Sequence, residues 1–458
     1  KRLKAPRERD LEAIHKISKF VFDTNWNEYP EAVRSKISLC ALDSLGALVA
    51  GQHVKVANIT AKYALTNWAG KDATIVSSNK KTGIKGAAFA NAYAANALDI
   101  DDCGLYTKGH PGAQLFPTAL ALAELKCLSG KEMLELLVIG YELAHRIGRC
   151  WHDFYDVYRA GGSWGSVACA GMAARSFGLS EEELFHAFGI AEYNSPYIPI
   201  MRDVKEPKMV KHGMGLGPVN GITSAELARI GFTGTSSILL NKNYLKWVND
   251  IGSNYIIVEG ICWKEYCSCA WTHPTLDAVR DIIDKNTISI DEIKQISVKT
   301  FREAVELGTR LPKTTEEAQF NLAWPIAALI VDGKVGPLQI EENRLTDQVI
   351  GEVAGKVEAR ESPEFTKSYK RAIRGQVGGR FGSSVEIRLK GGRRYSLQVT
   401  EGNLNYPQTG WDEERQKKKF RWLVNTVLDS DSTEELLDLT INLEEIKNLE
   451  YLVNLASS

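Results

Sequence analysis

Apolar residues recur at helical spacing through the first half of the chain. Residues 9–23 (RDLEAIHKISKFVFD) place them three and four apart, which predicts an amphipathic helix. Residues 29–50 repeat the pattern, with Pro30 suited to a first turn and Gly51 to a stop. Segments 84–98, 115–128, 130–148 and 163–177 continue it, now rich in Ala, Gly and Ser, as in KGAAFANAYAANAL and GSVACAGMAA. Small residues at this spacing let helices approach closely, so tight packing is the plain reading of most of these alanines. After about residue 262 the period changes. ISVKTF (296–301), SVEIRLK (384–390) and RRYSLQV (393–399) alternate as half-buried strands do, and Gly391-Gly392 marks a turn between the last two. Helical stretches at 274–285, 315–332 and 342–357 lie among them, and residues 411–458 return to charged helix. The pattern predicts a mainly α protein with a discontinuous all-helical domain, 1–262 and 405–458, and a smaller inserted α+β domain, 263–404.

Composition adds bounds rather than identity. A chain of 458 residues favours two domains, and 44% hydrophobic with 25% charged residues is ordinary for a soluble globular protein. Lys plus Arg (56) balance Asp plus Glu (57), so no nucleic-acid or anionic-membrane partner is expected. A small anionic substrate needs only a local cluster of cations. Eight scattered cysteines fit reduced thiols and a cytoplasmic location better than a disulfide framework. The opening KRLKAPRERD lacks the apolar run of a secretory signal, and no run of about 18 apolar residues predicts a membrane span.

Four short segments could carry chemistry. Asp99-Ile100-Asp101-Asp102 ends an apolar helix and precedes His110 in Gly109-His110-Pro111-Gly112. Three carboxylates in four residues repel one another unless water or a ligand compensates. An exposed helix end followed by a turn is the plain alternative, and a Mg²⁺ site the sharper one. Lys211 and His212 precede three glycines at alternating positions (Gly213, Gly215, Gly217), which let backbone approach a ligand or another helix. Cys262, Cys267, Cys269 and His273 could be read as zinc ligands, although Cys267 and Cys269 are separated by only one residue. The fourth segment runs from Tyr158 through Arg159-Ala160-Gly161-Gly162-Ser163, a turn into a helix.

In this order the segments resemble one family. Asp-Ile-Asp-Asp, His-Pro-Gly-Ala, Val-Lys-His-Gly-Met-Gly and Cys-Ala-Trp-Thr-His-Pro-Thr-Leu-Asp-Ala are similar to the motifs of the MmgE/PrpD family. CALDSLGALVAG (40–51) and EEAQFNLAWPIAALIVDGKVGP (316–337) agree, so the likeness spans about residues 10–420. Family members include 2-methylcitrate dehydratase, cis-aconitate decarboxylase and iminodisuccinate epimerase. The resemblance implies a large helical domain with an α+β lid, a homodimer, a site in the cleft between the domains, and a small polycarboxylate substrate. It implies no metal and no organic cofactor. Carried over by motif, the catalytic residues are Asp99, His110, Lys211 and His273, with Tyr158 as an added acid; Arg202, His212 and Cys103 are the expected substrate-binding residues.

That set has a physical logic. A proton α to a carboxylate is weakly acidic because its loss concentrates charge on one carboxyl group, so cations and donors must be preorganised around it. Histidine titrates near neutrality and suits proton transfer. Two departures bear on the reaction. Cys103 stands where the decarboxylase pattern has Thr, and Tyr158 occupies a stretch where it has another histidine. Tyr158 working from one face and Lys211 from the other suits epimerisation, and the departures favour epimerisation or dehydration over decarboxylation. Two other classes stay open here: a metal enzyme using Asp99, Asp101 and Asp102, and a non-catalytic carboxylate-binding relative.

Overall fold

The computed structural model describes residues 8–155, 157–374, 376, 378–400, 404 and 406–458. Most of the opening charged segment and the expected return point at 405 lie outside the described residues. The chain is mainly helical. Helices Glu8–Asp23, Glu31–Gly51, Ile84–Ala95, Gly112–Lys126, Gly130–Phe154, Gly161–Phe177, Glu181–Tyr193 and Leu216–Arg229 build the first half. Among the described residues no single helix is long and apolar enough to cross a membrane.

Local chemistry explains the ends. Ser129 accepts from the backbone N–H of Glu132, whose side chain accepts from Ser129 in return, so a capping box starts Gly130–Phe154. This helix runs six residues past the predicted stop at 148, because Cys150 and Trp151 bury fully in the core. The helix predicted over 84–98 stops earlier, at Ala95, before the loop of acids.

Small residues set the packing. Every residue from Gly161 to Ala174 is buried. Helix Leu216–Arg229 crosses there at Gly221, where a Cβ would lie 2.5 Å from Cys169 Cβ and 2.7 Å from the Ser166 carbonyl oxygen. Glycine is what permits that approach, and filling it would force the helices apart.

In the second half a four-stranded sheet has the order Val357–Glu361, Ile293–Thr300, Ser383–Leu389, Arg394–Val399. The first pair is parallel and the other two antiparallel. Ser383–Leu389 buries alternate residues, and Val385, Ile387 and Leu389 share a core with Ala278, Val279 and Ile282 of helix His273–Lys285. The stretch predicted as helix over 342–357 divides into helix Gln348–Ala354 and the parallel edge strand beginning at Val357. Gly355 separates them, and β-branched Val357 seats on the sheet.

The chain then returns to the first half. In helix Glu413–Val424, Gln416 Nε2 and Lys419 Nζ both donate to Asp43 Oδ1 of helix Glu31–Gly51, at 2.7 and 2.6 Å. Lys419 also donates to the Ile100 carbonyl at 2.7 Å, which ties this return to the acidic loop.

Candidate active site

After helix Ile84–Ala95 the backbone enters the left-handed region at Asp99 (φ 53°), which turns its carboxylate inward to 1% exposure. Aspartate tolerates this conformation better than most residues. Four nitrogens surround that carboxylate. Lys264 Nζ lies 2.9 Å from Oδ2 and also donates to the Asp99 carbonyl. Around Oδ1 lie His110 Nε2 at 3.2 Å, Lys211 Nζ at 3.6 Å and His212 Nε2 at 3.9 Å. Burial alone would raise the Asp99 pKa, but Lys264, Lys211 and His110 reverse this and hold it well below the usual carboxylate range.

Asp99 and Asp101 share His110, one on each ring nitrogen, while Asp102 is drawn away onto other partners. Asp101 Oδ2 lies 3.1 Å from His110 Nδ1, and its Oδ1 accepts from Asn96 Nδ2 at 2.8 Å. Asp102 turns the other way, accepting from Tyr141 OH at 2.6 Å and from the Gly112 N–H at 2.8 Å. Burial and the nearby Asp43 push Asp102 up to about 7. A Cβ on Gly112 would meet Ser44 Oγ at 2.4 Å and Asp102 Oδ1 at 2.9 Å, so this turn needs glycine.

The two histidines of the cluster are tuned in opposite directions. Burial disfavours a charged His110, but Asp101 and Asp99 outweigh it and raise its pKa to about 9, so the ring is an imidazolium at neutral pH. Burial also lowers His212, and there Asp203 does not make up the difference, so that ring is neutral. Asp203 Oδ2 accepts the His212 backbone N–H at 2.7 Å and lies 3.3 Å from Nδ1, which leaves Nε2 on the Asp99 side. The ring centroids are 5.2 Å apart. His212 and Gly213 are both left-handed (φ 58° and 60°), the tight turn that brings Lys211 and His212 to one place. Lys211 Nζ also donates to Gln319 Oε1, and Gln319 Nε2 is fixed by the Ala97 carbonyl at 2.8 Å and Thr315 Oγ1 at 3.0 Å.

Asp99, His110 and His212 open onto a cavity whose other walls include Cys103, Lys108, Tyr158, Trp271 and Phe320. Tyr158 donates its hydroxyl to the Lys108 carbonyl, and burial raises its pKa well above the ordinary phenol value. Burial likewise keeps Cys103 a thiol.

Of the expected residues, Asp99, His110, Lys211 and His212 come together, and Cys103 and Tyr158 sit on the cavity wall. Two do not join them. His273 opens helix His273–Lys285 but does not line the cavity; its ring packs on Tyr266, with centroids 4.9 Å apart, and Nε2 lies 3.3 Å from the Ser268 carbonyl oxygen. Burial holds it well below its ordinary pKa, so it is neutral. Arg202 is exposed on helix Ile200–Lys205, because the helical turn sends Ile200 and Val204 to the cavity and residue 202 to the other side.

Sequence reasoning missed Lys264, Asp203, Gln319 and Lys108. Lys264 left a signal: a lysine inside the run GICWKEYCSCAW is expected to be buried, and a buried lysine needs a carboxylate. Gln319 and Asp203 left none.

Among the described residues, the group whose ligand atoms could meet around a metal is Asp99, His110 and His212, within 4.8 Å of one another. Neither the Asp99, Asp101 and Asp102 set nor the Cys262, Cys267, Cys269 and His273 set converges in that way. Two ammonium groups and an imidazolium already crowd Asp99, so the local field suits an anion better than a divalent cation.

Comparison with known proteins agrees along most of the chain. The cis-aconitate decarboxylase of Homo sapiens is 22% identical over 449 residues, covering 90% of this chain and 88% of its own. The cis-aconitate decarboxylase-like protein oryM of Aspergillus oryzae is 23% identical over 476 residues, covering 94% of each. Residues 15–249 match the MmgE/PrpD N-terminal domain and residues 266–445 the MmgE/PrpD C-terminal domain. The chain belongs to the MmgE/PrpD family.

Proposed function

We propose that the chain is a cofactor-independent lyase or isomerase that removes a proton next to a carboxylate of a small di- or tricarboxylate, by dehydration or epimerisation rather than decarboxylation. The observation that carries this reading is the pairing of a neutral His212 with a cationic His110 and Lys211 around one buried carboxylate at the edge of a cavity. A base and its electrostatic support are then adjacent, as carbanion chemistry requires.

In this reading His212 Nε2 takes the carbon-bound proton. His110 and Lys211 bind the adjoining carboxylate and stabilise the charge that develops on it. Lys264 and Gln319 keep Asp99 and Lys211 in position. Tyr158, protonated and on another wall, is the acid. In dehydration the C–H pair forms the alkene, the C–O bond breaks, and the hydroxyl leaves as water with a proton from the acid. In epimerisation Tyr158 returns a proton to the opposite face, with no net gain or loss of protons.

The likeness to cis-aconitate decarboxylases favours a second reading. There a C–C bond breaks, CO₂ leaves with neither electron of that bond, and the acid protonates the carbanion. Cys103 and Tyr158, both on the cavity wall, are the residues that weigh against it.

One experiment covers the alternatives. Di- and tricarboxylates, hydroxy acids and amino-diacids are incubated with the enzyme in D₂O and followed by NMR. Deuterium wash-in beside a carboxylate or alkene formation is expected, at a rate unchanged by prior treatment with a chelator. CO₂ release would establish the second reading. No change in any compound would reject both, and loss of turnover on chelation would return the metal enzyme.

A further inference from the structure

Among the described residues, the cavity wall carries one cation that the mechanism does not use. Lys108 lies in the loop between Cys103–Gly104 and helix Gly112–Lys126, in the left-handed region (φ 51°), which is costly for a lysine. The conformation is fixed from both sides: the Lys108 N–H donates to the Gly104 carbonyl at 2.8 Å, and the Lys108 carbonyl accepts the Tyr158 hydroxyl. Its half-buried side chain lines the cavity, with Nζ 5.5 Å from the Tyr158 ring centroid.

No described neighbour supplies a counter-charge. Among the described residues no carboxylate forms an ion pair with Lys108. Burial, with Lys108 itself adding to the effect, lowers His152 to about 3, so that ring is neutral; Tyr158 stays a neutral phenol. Arg374, the charged group felt from the second half, is another cation. The carboxylates of Asp99 and Asp101 are already engaged by Lys264, Lys211 and His110. A desolvated ammonium facing a cavity without an anion is unfavourable unless a ligand supplies one.

We propose that Lys108 is a second carboxylate anchor, binding a remote carboxylate of the substrate while the His110–Lys211 cluster holds the reacting one. The substrate therefore carries at least two carboxylates, held at separate points of a cavity that is otherwise largely apolar (Val204, Trp271, Phe320, Phe381). This rests on the polycarboxylate reading above. Burial and Arg374 lower Lys108 to about 8, so the anchor is charged at neutral pH and is lost as pH rises through that value.

The test is calorimetric titration of the full chain with propane-1,2,3-tricarboxylate and, separately, propionate. Lys108→Met is expected to weaken tricarboxylate binding by at least about tenfold, the worth of one charge-assisted hydrogen bond, and to leave propionate unchanged. Lys108→Arg is expected to restore affinity to within about threefold. Wild-type affinity is expected to fall at least about five- to tenfold between about pH 7 and about pH 9, and the Lys108→Arg protein to keep only the about twofold fall that His110 contributes. In turnover the loss falls on KM. Unaltered tricarboxylate affinity in Lys108→Met, or a collapse of kcat with KM intact, overturns the anchor alone. A wild-type chain that binds neither tricarballylate nor succinate nor glutarate overturns the polycarboxylate reading together with it.

Discussion

Lys264 and Asp99 form an ion pair with no solvent exposure to speak of: Nζ lies 2.9 Å from Oδ2, at 0% and 1% side-chain exposure. Removing one partner of such a pair strands the other charge in a low dielectric, which costs about 3–5 kcal/mol. Lys264→Met, with His110 and Lys211 still facing Asp99, is therefore expected to lower unfolding free energy by the low end of that range, about 3 kcal/mol, read from urea denaturation. Lys211→Met, at 3.6 Å from the same carboxylate and with Lys264 still in place, is expected to cost clearly less stability while abolishing turnover. Equal stability losses in the two proteins would remove the distinction between a positioning lysine and the lysine proposed to bind substrate.

His110 makes stability depend on pH with a definite sign. Its folded pKa, about 9, is above the unfolded value of about 6.5 because Asp101 and Asp99 outweigh burial. The stabilisation is fully present below about 6.5 and is lost as pH rises through about 9, a change of about 3 kcal/mol. Unfolding free energy measured across this window is expected to fall in the wild type more than in His110→Asn. Asp102, Glu142 and Glu192, each raised to about 7 by burial, contribute a fall at lower pH in both proteins, so the difference between them isolates the histidine. A difference that does not change with pH would mean that His110 is not charged in the fold.

These pairings mark where sequence reasoning stops. The helices over 9–23 and 163–177 were legible because each element's burial pattern is local. The predicted helix over 342–357 failed at its end because Val357 joins a strand whose partner, Ile296, is far away in sequence. Asp99 and His110 were legible as motifs, but Lys264 reaches Asp99 across 165 residues and no local spacing announces it. His273 stands beside Pro274 at a helix start in sequence and in space, but its ring packs on Tyr266 and does not line the cavity, which the motif alone does not announce.

His212 and Asp203 make a second pH prediction, this time on rate. Burial lowers His212 while Asp203 pulls the other way. His212→Gln is expected to reduce kcat by about 10²–10⁴-fold, the usual worth of a general base. Asp203→Asn removes the upward pull, so the acid limb of the kcat profile is expected to move to lower pH, with a smaller loss of rate. An acid limb that stays in place in Asp203→Asn would exclude His212 as the group responsible for it.

Tyr158→Phe separates the two halves of the proposed reaction. The ring and its packing against His152, centroids 5.2 Å apart, survive the change, and what disappears is the hydroxyl and its bond to the Lys108 carbonyl. If His212 removes the proton and Tyr158 delivers one from elsewhere, deuterium from D₂O still enters the substrate through His212 when the phenol is absent. Net turnover is expected to fall by at least about 10²-fold, the lower range for a positioned acid, while wash-in continues. Parallel loss of both would make Tyr158 part of proton removal itself. Unchanged turnover would leave the acid to be found elsewhere, and His110, an imidazolium on the same cavity, would be the group to test next.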